Sequence, residues 1–356
     1  MTGAIDFGYR AATIRTPIAS ALVPLRVLAV SAALLVVAAA AGIAALMIGD
    51  VPLRLDEVVA ALLGGGTELQ QMVVLEWRLP VALAALIFGA MLGLGGAIFQ
   101  SLTRNPLGSP DVIGFDAGSY TAVVVVMLVL GSQSSWGIAA AAIAGGLLTA
   151  SAVYVLAYRR GIQGFRLIVV GIGVSALLGS LNSYLITRAD IEDAMAVGFW
   201  GAGSVGRVTW ASLGPSLGIA VAIVVVALLL ARDLRALELG DDAAVTQGRR
   251  PGPARLALIV IGVATVALVT AAAGPIGFVA LVAPQLARRL TGSAGVSLLG
   301  AACMGALLLS SAHLLTLGIA QVFRPVPVGL ITVCLGGLYL IRLLVLEARR
   351  QHGAAR

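Results

Sequence analysis

Ten continuous apolar runs, each close to the thickness of a bilayer, leave this chain few ways to fold. Apolar residues make up 60% of its 356 positions and charged residues 11%, against about 25% charged in ordinary soluble domains. A spanning helix takes roughly 20 apolar residues. Because the runs are continuous rather than alternating, they read as helices and not as barrel strands. The fold class expected is an all-α polytopic membrane protein of about ten transmembrane helices. The predicted spans are Val27–Met47, Leu79–Ser101, Val112–Leu130, Trp136–Ala157, Leu167–Ile186, Leu213–Ala231, Leu256–Ala272, Ile276–Leu290, Val296–Leu317 and Val328–Leu346. The first is too long for a signal-peptide core and has no clear cleavage segment after it, so it reads as an uncleaved helix. The eighth is short and opens at Gly274-Pro275, as a bent or partly re-entrant element would. The chain divides into an N-terminal segment 1–26, a membrane domain 27–347 and a tail 348–356.

Arginine sets the orientation. With the N-terminus inside, seventeen of the 23 basic residues fall on cytoplasmic segments, and five (Arg54, Arg78, Arg188, Arg207 and Arg324) lie outside. This is the positive-inside pattern, with both termini in the cytoplasm. The net charge of +7 therefore reads as topology and not as affinity for nucleic acid. All 23 basic residues are arginine. Without lysine the chain has no GxxxxGK[ST] phosphate loop and no Schiff-base chemistry. Cys303, Cys334, His313 and His352 are isolated from one another, so no metal site is expected.

Three connections stand out. Asp50 to Gln71 is expected to hold a short external amphipathic helix, and Thr187 to Trp210 is external, acidic and glycine-rich. The loop 232–255 is the longest on the cytoplasmic side. Its RDLRALELGDDAAVTQG portion reads as one or two short helices broken near Gly240, with Asp241 and Asp242 placed to open the second.

The middles of the spans hold hydroxyls, glycines and Asn182 but no carboxylate, and Asp111 and Asp116 stand at the opening of the third. Carriers driven by protons or sodium place ionisable groups inside their spans, so the driving energy is expected from a partner. The sequence has no HExxH, no histidine-rich box and no glycine-flanked membrane serine, which argues against an enzyme. It also lacks a filter-like loop or ring of charges, which argues against a channel.

Four motifs occur in a fixed order: Arg78-Leu79-Pro80 leading into GAMLGLGGAIFQSLTRNPLGSPDVIGFDAG, then LRALELGDDAAVTQG, AGPIGFVALVAPQLARRLTG and PVGLITVCLGGLYLIRLL. They resemble the permease subunits of iron-siderophore and vitamin B12 ABC importers, from about Leu75 to the C-terminus. Their wording is most like the ferric enterobactin-type (catecholate) permeases. The resemblance implies a type II ABC importer permease fold in the bacterial cytoplasmic membrane. It implies pairing with a second permease, identical or a sister chain, around a shared pathway. A dimer of cytoplasmic ABC ATPase subunits would hydrolyse ATP, and an extracytoplasmic binding protein would deliver a ferric siderophore. This chain itself would bind no cofactor and catalyse nothing. Import of haem, a corrinoid or another iron chelate stands as the alternative within the fold. A proton-coupled secondary transporter working alone is the alternative outside it.

The resemblance also assigns residues. Leu237, Gly240, Asp241, Asp242 and Gly248 fall in the segment that meets the ATPase, where the plainer reading is a solvated loop. Arg78 and Arg324 are placed to dock the binding protein, against a plainer reading of arginines that snorkel at span ends. The vitamin B12 member has a second arginine after Arg-Leu-Pro, and here Val81 takes that place. Asn105 and Leu107 match the inner loop that narrows the pathway, although Asn105-Pro106 also reads as a helix stop. Gln163 and Gly164 fall at the companion narrowing. Asn182 is a pathway candidate in the fifth span, where the glycines read as packing positions.

Overall fold

The computed structural model describes residues 11–15, 20–111, 114–158, 164–293 and 295–354. A two-stranded antiparallel hairpin comes first, β1 (Ala11–Arg15) with β2 (Ser20–Pro24), an addition that the apolar pattern did not predict. The rest is helical. The predicted spans appear as α1 (Leu25–Met47), α4 (Leu79–Thr103), α5 (Phe115–Val124), α6 (Ser135–Ala157), α7 (Gly164–Arg188), α9 (Trp210–Leu229), α12 (Pro251–Ala273), α13 (Val279–Thr291), α14 (Leu298–Ala320) and α15 (Val328–Ala354). Among the described residues, seven helices are long and apolar enough to cross a membrane. Of the remaining three spans, α5 and α13 are the short ones.

The core sits around α4. It packs on α14, α12 and α13, and 72% of its most apolar stretch is buried. Phe88, Phe99 and Phe115 are fully enclosed there. Close approach is possible because Gly93 lies directly against the Ala301 carbonyl of α14 and Gly89 against Gly305, a small-residue seam of the kind that lets membrane helices touch backbone to backbone. By contrast, α7 is a peripheral helix with only 17% of its apolar stretch buried. Gly173 and Gly179 on α7 have no neighbour in the chain within 4 Å. A Cβ added at either position would meet no other helix of this chain.

Between the first two spans, α2 (Leu55–Leu62) is the short helix expected in 50–71. Its start is closed by the Glu57 carboxylate, which accepts from the Arg54 N–H at 2.7 Å, and Val58 and Ala61 are its buried face. A short helix α3 (Glu68–Gln71) and a π-helical turn (Met72–Arg78) then run directly into α4. The external connection after α7 folds as α8 (Ile191–Gly201) and a 3-10 turn (Val205–Arg207).

Two spans are broken, and both breaks lie within the bundle. In the third span, predicted from Val112, the described α-helix begins late. The α-helix starts at Phe115, after Gly114 in a left-handed conformation (φ 86°); Val112 and Ile113 lie outside the described residues. Gly114 meets Thr149 of α6 and Ser175 and Gly171 of α7. Those positions lie two to three turns inward from the nearer ends of their helices, at Ala157 and Gly164, roughly 12 Å by the α-helical rise. The described residues here, Arg104 to Asp111 and Gly114, therefore lead back into the bundle before α5 begins.

The second break falls at Gly274-Pro275, where the eighth span is expected to open as a bent or partly re-entrant element. Residues 274–277 are neither helix nor strand, with Gly274 at φ 77°, and α13 starts after Phe278 in the left-handed region (φ 68°). Phe278 faces Gly336 of α15, two turns below the start of that helix. Its connection is held from outside by backbone bonds: Ser204 N–H donates to the Ala273 carbonyl at 2.7 Å and Gly329 N–H to Gly203 at 3.1 Å. Irregular backbone at this depth is tolerated only where protein covers it, and α8, α12 and α15 supply that cover.

Candidate functional site

The loop 232–255, expected on the cytoplasmic side, folds as α10 (Ala231–Glu238) and α11 (Asp241–Thr246). Gly240 between them has φ 121°, a region that side-chain-bearing residues rarely enter, and this is why the chain breaks there. Asp241 and Asp242 occupy the first turn of α11, where carboxylates favour the helix start. Leu234, Leu237 and Ala244 are buried against the membrane domain. Leu239 and Val245 point the other way and are 72% and 58% exposed. Gly248 ends the segment at φ 72°.

The helix pair is fastened to α4 and α12 by polar contacts. The Ser101 hydroxyl donates to Glu238 Oε1 at 2.5 Å. Arg104 Nη2 donates to the Leu237 carbonyl at 3.2 Å and lies 3.4 Å from Asp241 Oδ1. The same oxygen accepts from Arg255 Nη2 at 2.6 Å. A further pair joins Arg249 to Asp233 at 3.2 Å.

Beside these contacts lies the inner loop. Asn105 Oδ1 accepts from the Leu107 N–H at 2.9 Å, which makes a local turn of the kind asparagine favours. The loop is tied to α13 by Gln285 Nε2, which donates to the Pro106 carbonyl at 2.8 Å. Gln100 Nε2, also buried, donates to Leu281 at 2.8 Å. A cavity of about 990 Å³ opens between these elements, with Asn105, Leu107, Arg104, Glu238, Gln285 and Arg288 among its walls. Its size matches a site for a bulky small molecule. The structure thus brings together Asn105, Leu107, Leu237, Gly240 and Asp241. Gln163 lies outside the described residues, and Gly164 is the first residue of α7.

The external candidates do not meet each other in the same way. Arg78 is half-buried and turned inward: Nη1 donates to the Leu46 carbonyl at 2.8 Å and Nη2 to Val51 at 2.6 Å. It closes the end of α1, beside a cavity of about 240 Å³ that also touches Asp50, Trp77 and His313. Arg324 is fully on the surface, in the α14–α15 connection. Asn182 is 4% exposed, on the packed side of a helix that leans on α5 and α6, and its Oδ1 has no partner among the described residues.

Asp111 and Asp116 depart from expectation: they are not at a membrane surface but inside the bundle, on either side of the break before α5. Asp116 Oδ1 accepts from the Thr270 hydroxyl of α12 at 3.3 Å, and Asp111 Oδ1 is buried with no partner among the described residues. The climb of the preceding loop, which sequence does not reveal, puts them there. Sequence reading also missed Glu238, Arg255 and Gln285 as partners of the inner loop and its neighbours. The available signal was a polar residue placed within an apolar or small-residue run, as with Gln285 after Ala283-Pro284.

The model of the FecCD transport family matches residues 34–346. The ferric enterobactin transport system permease protein FepG of Escherichia coli (strain K12) is 48% identical over 313 residues, covering 87% of this chain and 94% of the relative. The iron(3+)-hydroxamate import system permease protein FhuG of Bacillus subtilis (strain 168) is 34% identical, covering 90% and 97%. A solved ABC transporter of metal-chelate type, in an inward-facing conformation, superposes with a TM-score of 0.75 at 26% identity, over 90% of this chain and 99% of its own.

Proposed function

The chain belongs to the FecCD transport family, and from that premise we propose that it is the membrane permease of an ATP-driven importer for a ferric siderophore of the catecholate type. It passes the iron chelate from an extracytoplasmic binding protein to the cytoplasm, with a second permease, identical or sister, forming the other wall of the pathway. ATP is hydrolysed by a dimer of separate cytoplasmic subunits. Both termini of this chain face the cytoplasm. The substrate class rests on the near full-length relationship to a ferric enterobactin permease.

The single observation that carries the mechanical side of this reading is the α10–α11 pair. It is fastened to the bundle on one face and offers Leu239 and Val245 on the other. Two exposed apolar side chains beside a carboxylate-bearing helix start are what a protein partner needs for an anchor. The chain has no lysine with which to build a nucleotide site of the phosphate-loop kind. On this reading Asn105 and Leu107 close the cytoplasmic end of the pathway, Arg324 faces the binding protein, and Arg78 holds the frame on which that protein lands.

The test has two parts. A deletion strain is expected to lose growth on ferric enterobactin as iron source and to keep growth on a hydroxamate siderophore; unchanged use of both would sink the substrate assignment. Gly240→Val should leave the chain folded and membrane-inserted while its capture of the ATPase falls about ten-fold, since the break between α10 and α11 needs a backbone only glycine adopts freely.

A further inference from the structure

The contacts of Arg104 join the ATPase-facing helices to the inner loop, two elements with separate roles in the proposed function, and the role assigned to Arg104 rests on that proposed function. Arg104 ends α4 with a left-handed backbone (φ 50°), which a non-glycine residue adopts at some strain and which marks positions held by their surroundings. Its side chain explains what holds it. One guanidinium nitrogen meets both the Leu237 carbonyl of α10 and Asp241 at the start of α11, across more than 130 residues of sequence. Its backbone leads immediately into Asn105, Pro106 and Leu107.

We propose that Arg104 is the positioning residue that delivers movement of α10–α11 to the inner loop. Three contacts on three sides support it. Arg255 of α12 shares Asp241 Oδ1, so the node is fixed to a spanning helix. Ser101, one turn earlier on α4, holds Glu238 at the end of α10. Gln285 of α13 holds the Pro106 carbonyl, so the far side of the loop is also tethered and a push at Asp241 has something to bend against.

Stability alone does not account for the node. Arg104 and Asp241 are each 50% exposed, and exposed ion pairs contribute little to folding. A glycine at 104 would end the helix with less strain. An arginine here sacrifices local backbone comfort for a connection between two elements, which is sensible only if the connection is used.

In the assembled importer in proteoliposomes, Arg104→Gly relieves the left-handed backbone and removes the link. We expect unchanged or raised thermal stability, retained ATPase association and retained ATP hydrolysis. Uptake of ferric enterobactin per ATP hydrolysed should fall at least about five-fold, the lower end of site-to-site coupling effects. Arg104→Lys, which keeps a cation beside Asp241, should restore most of the ratio. An unchanged uptake-to-ATP ratio in Arg104→Gly overturns the proposal. So does loss of ATPase association in that variant, which would make Arg104 a docking contact. Failure of Gly240→Val to weaken ATPase capture would instead strike the underlying reading of α10–α11.

Discussion

Replacing Gly93 by alanine tests the seam on which the core depends. A Cβ built on Gly93 would stand 2.9 Å from the Ala301 carbonyl carbon of α14 and closer still to its oxygen, whereas carbon atoms pack best at about 3.5–4.0 Å. Both obstructing atoms belong to backbone, so no side chain can rotate away and the two helices must part by roughly 0.5–1 Å. A gap of that size forfeits a quarter to a half of each dispersion contact along the seam. With some forty atom pairs at ~0.15 kcal/mol apiece, the loss is about 2 kcal/mol, within the usual range for overpacked cores. Alanine's helix propensity gives no relief, because separated spans stay helical in lipid to satisfy their backbone. The assay is unfolding by sodium dodecyl sulfate in mixed micelles, followed by the fluorescence of the four tryptophans. Gly173→Ala is the control: with no neighbour in the chain within 4 Å, it should change stability by less than about 0.5 kcal/mol. Equal stabilities for the two variants would refute the reasoning.

Gln100→Leu should cost about 1 kcal/mol in the same assay, the net worth of one hydrogen bond, because the buried Leu281 carbonyl loses Gln100 and keeps Gln285 Nε2 at 3.1 Å; a loss of about 3 kcal/mol or more would show that Gln285 does not serve that carbonyl. Arg78→Leu should destabilise the isolated chain by about 1–2 kcal/mol after allowance for its half-exposed setting, since two carbonyls at the end of α1 lose their donor. A variant of unchanged stability that fails to capture the binding protein would show instead that docking is the main use of this arginine.

Span positions were legible because each apolar run ends at something a membrane helix cannot carry onward. Arg78-Leu79-Pro80 opens α4, Arg250-Pro251 opens α12, and Gly274-Pro275 stops α12. Depth was not legible. Ser109, Pro110, Asp111 and Gly114 look the same whether they lie in water or climb into a bundle, since what decides is the cover given by α6 and α7 far along the chain. For the same reason Asp116 reads as a surface carboxylate in the sequence, and only the fold sets Thr270 beside it. Gly240 announced itself, because a glycine between two helical patterns in a charged loop has few other uses. The partners of Asp241 did not: Arg104 and Arg255 are ordinary span-end arginines until three elements converge.

The two broken spans bear on how the chain enters the membrane during synthesis. α13 offers thirteen residues, among them Pro284, Gln285 and two arginines, and α5 with its π-helical extension reaches only fifteen residues, Phe115–Val129, with Asp116 among them. Neither is long enough to partition into lipid alone as it leaves the ribosome. Each must be carried in by a neighbour. α12 and α14 flank α13, and α4 and α6 flank α5, all of them strongly apolar. Arg288 and Arg289 then keep the end of α13 from crossing. The two shortest spans are therefore the last to be secured, and a defect in their neighbours would surface first as a failure of assembly in the membrane.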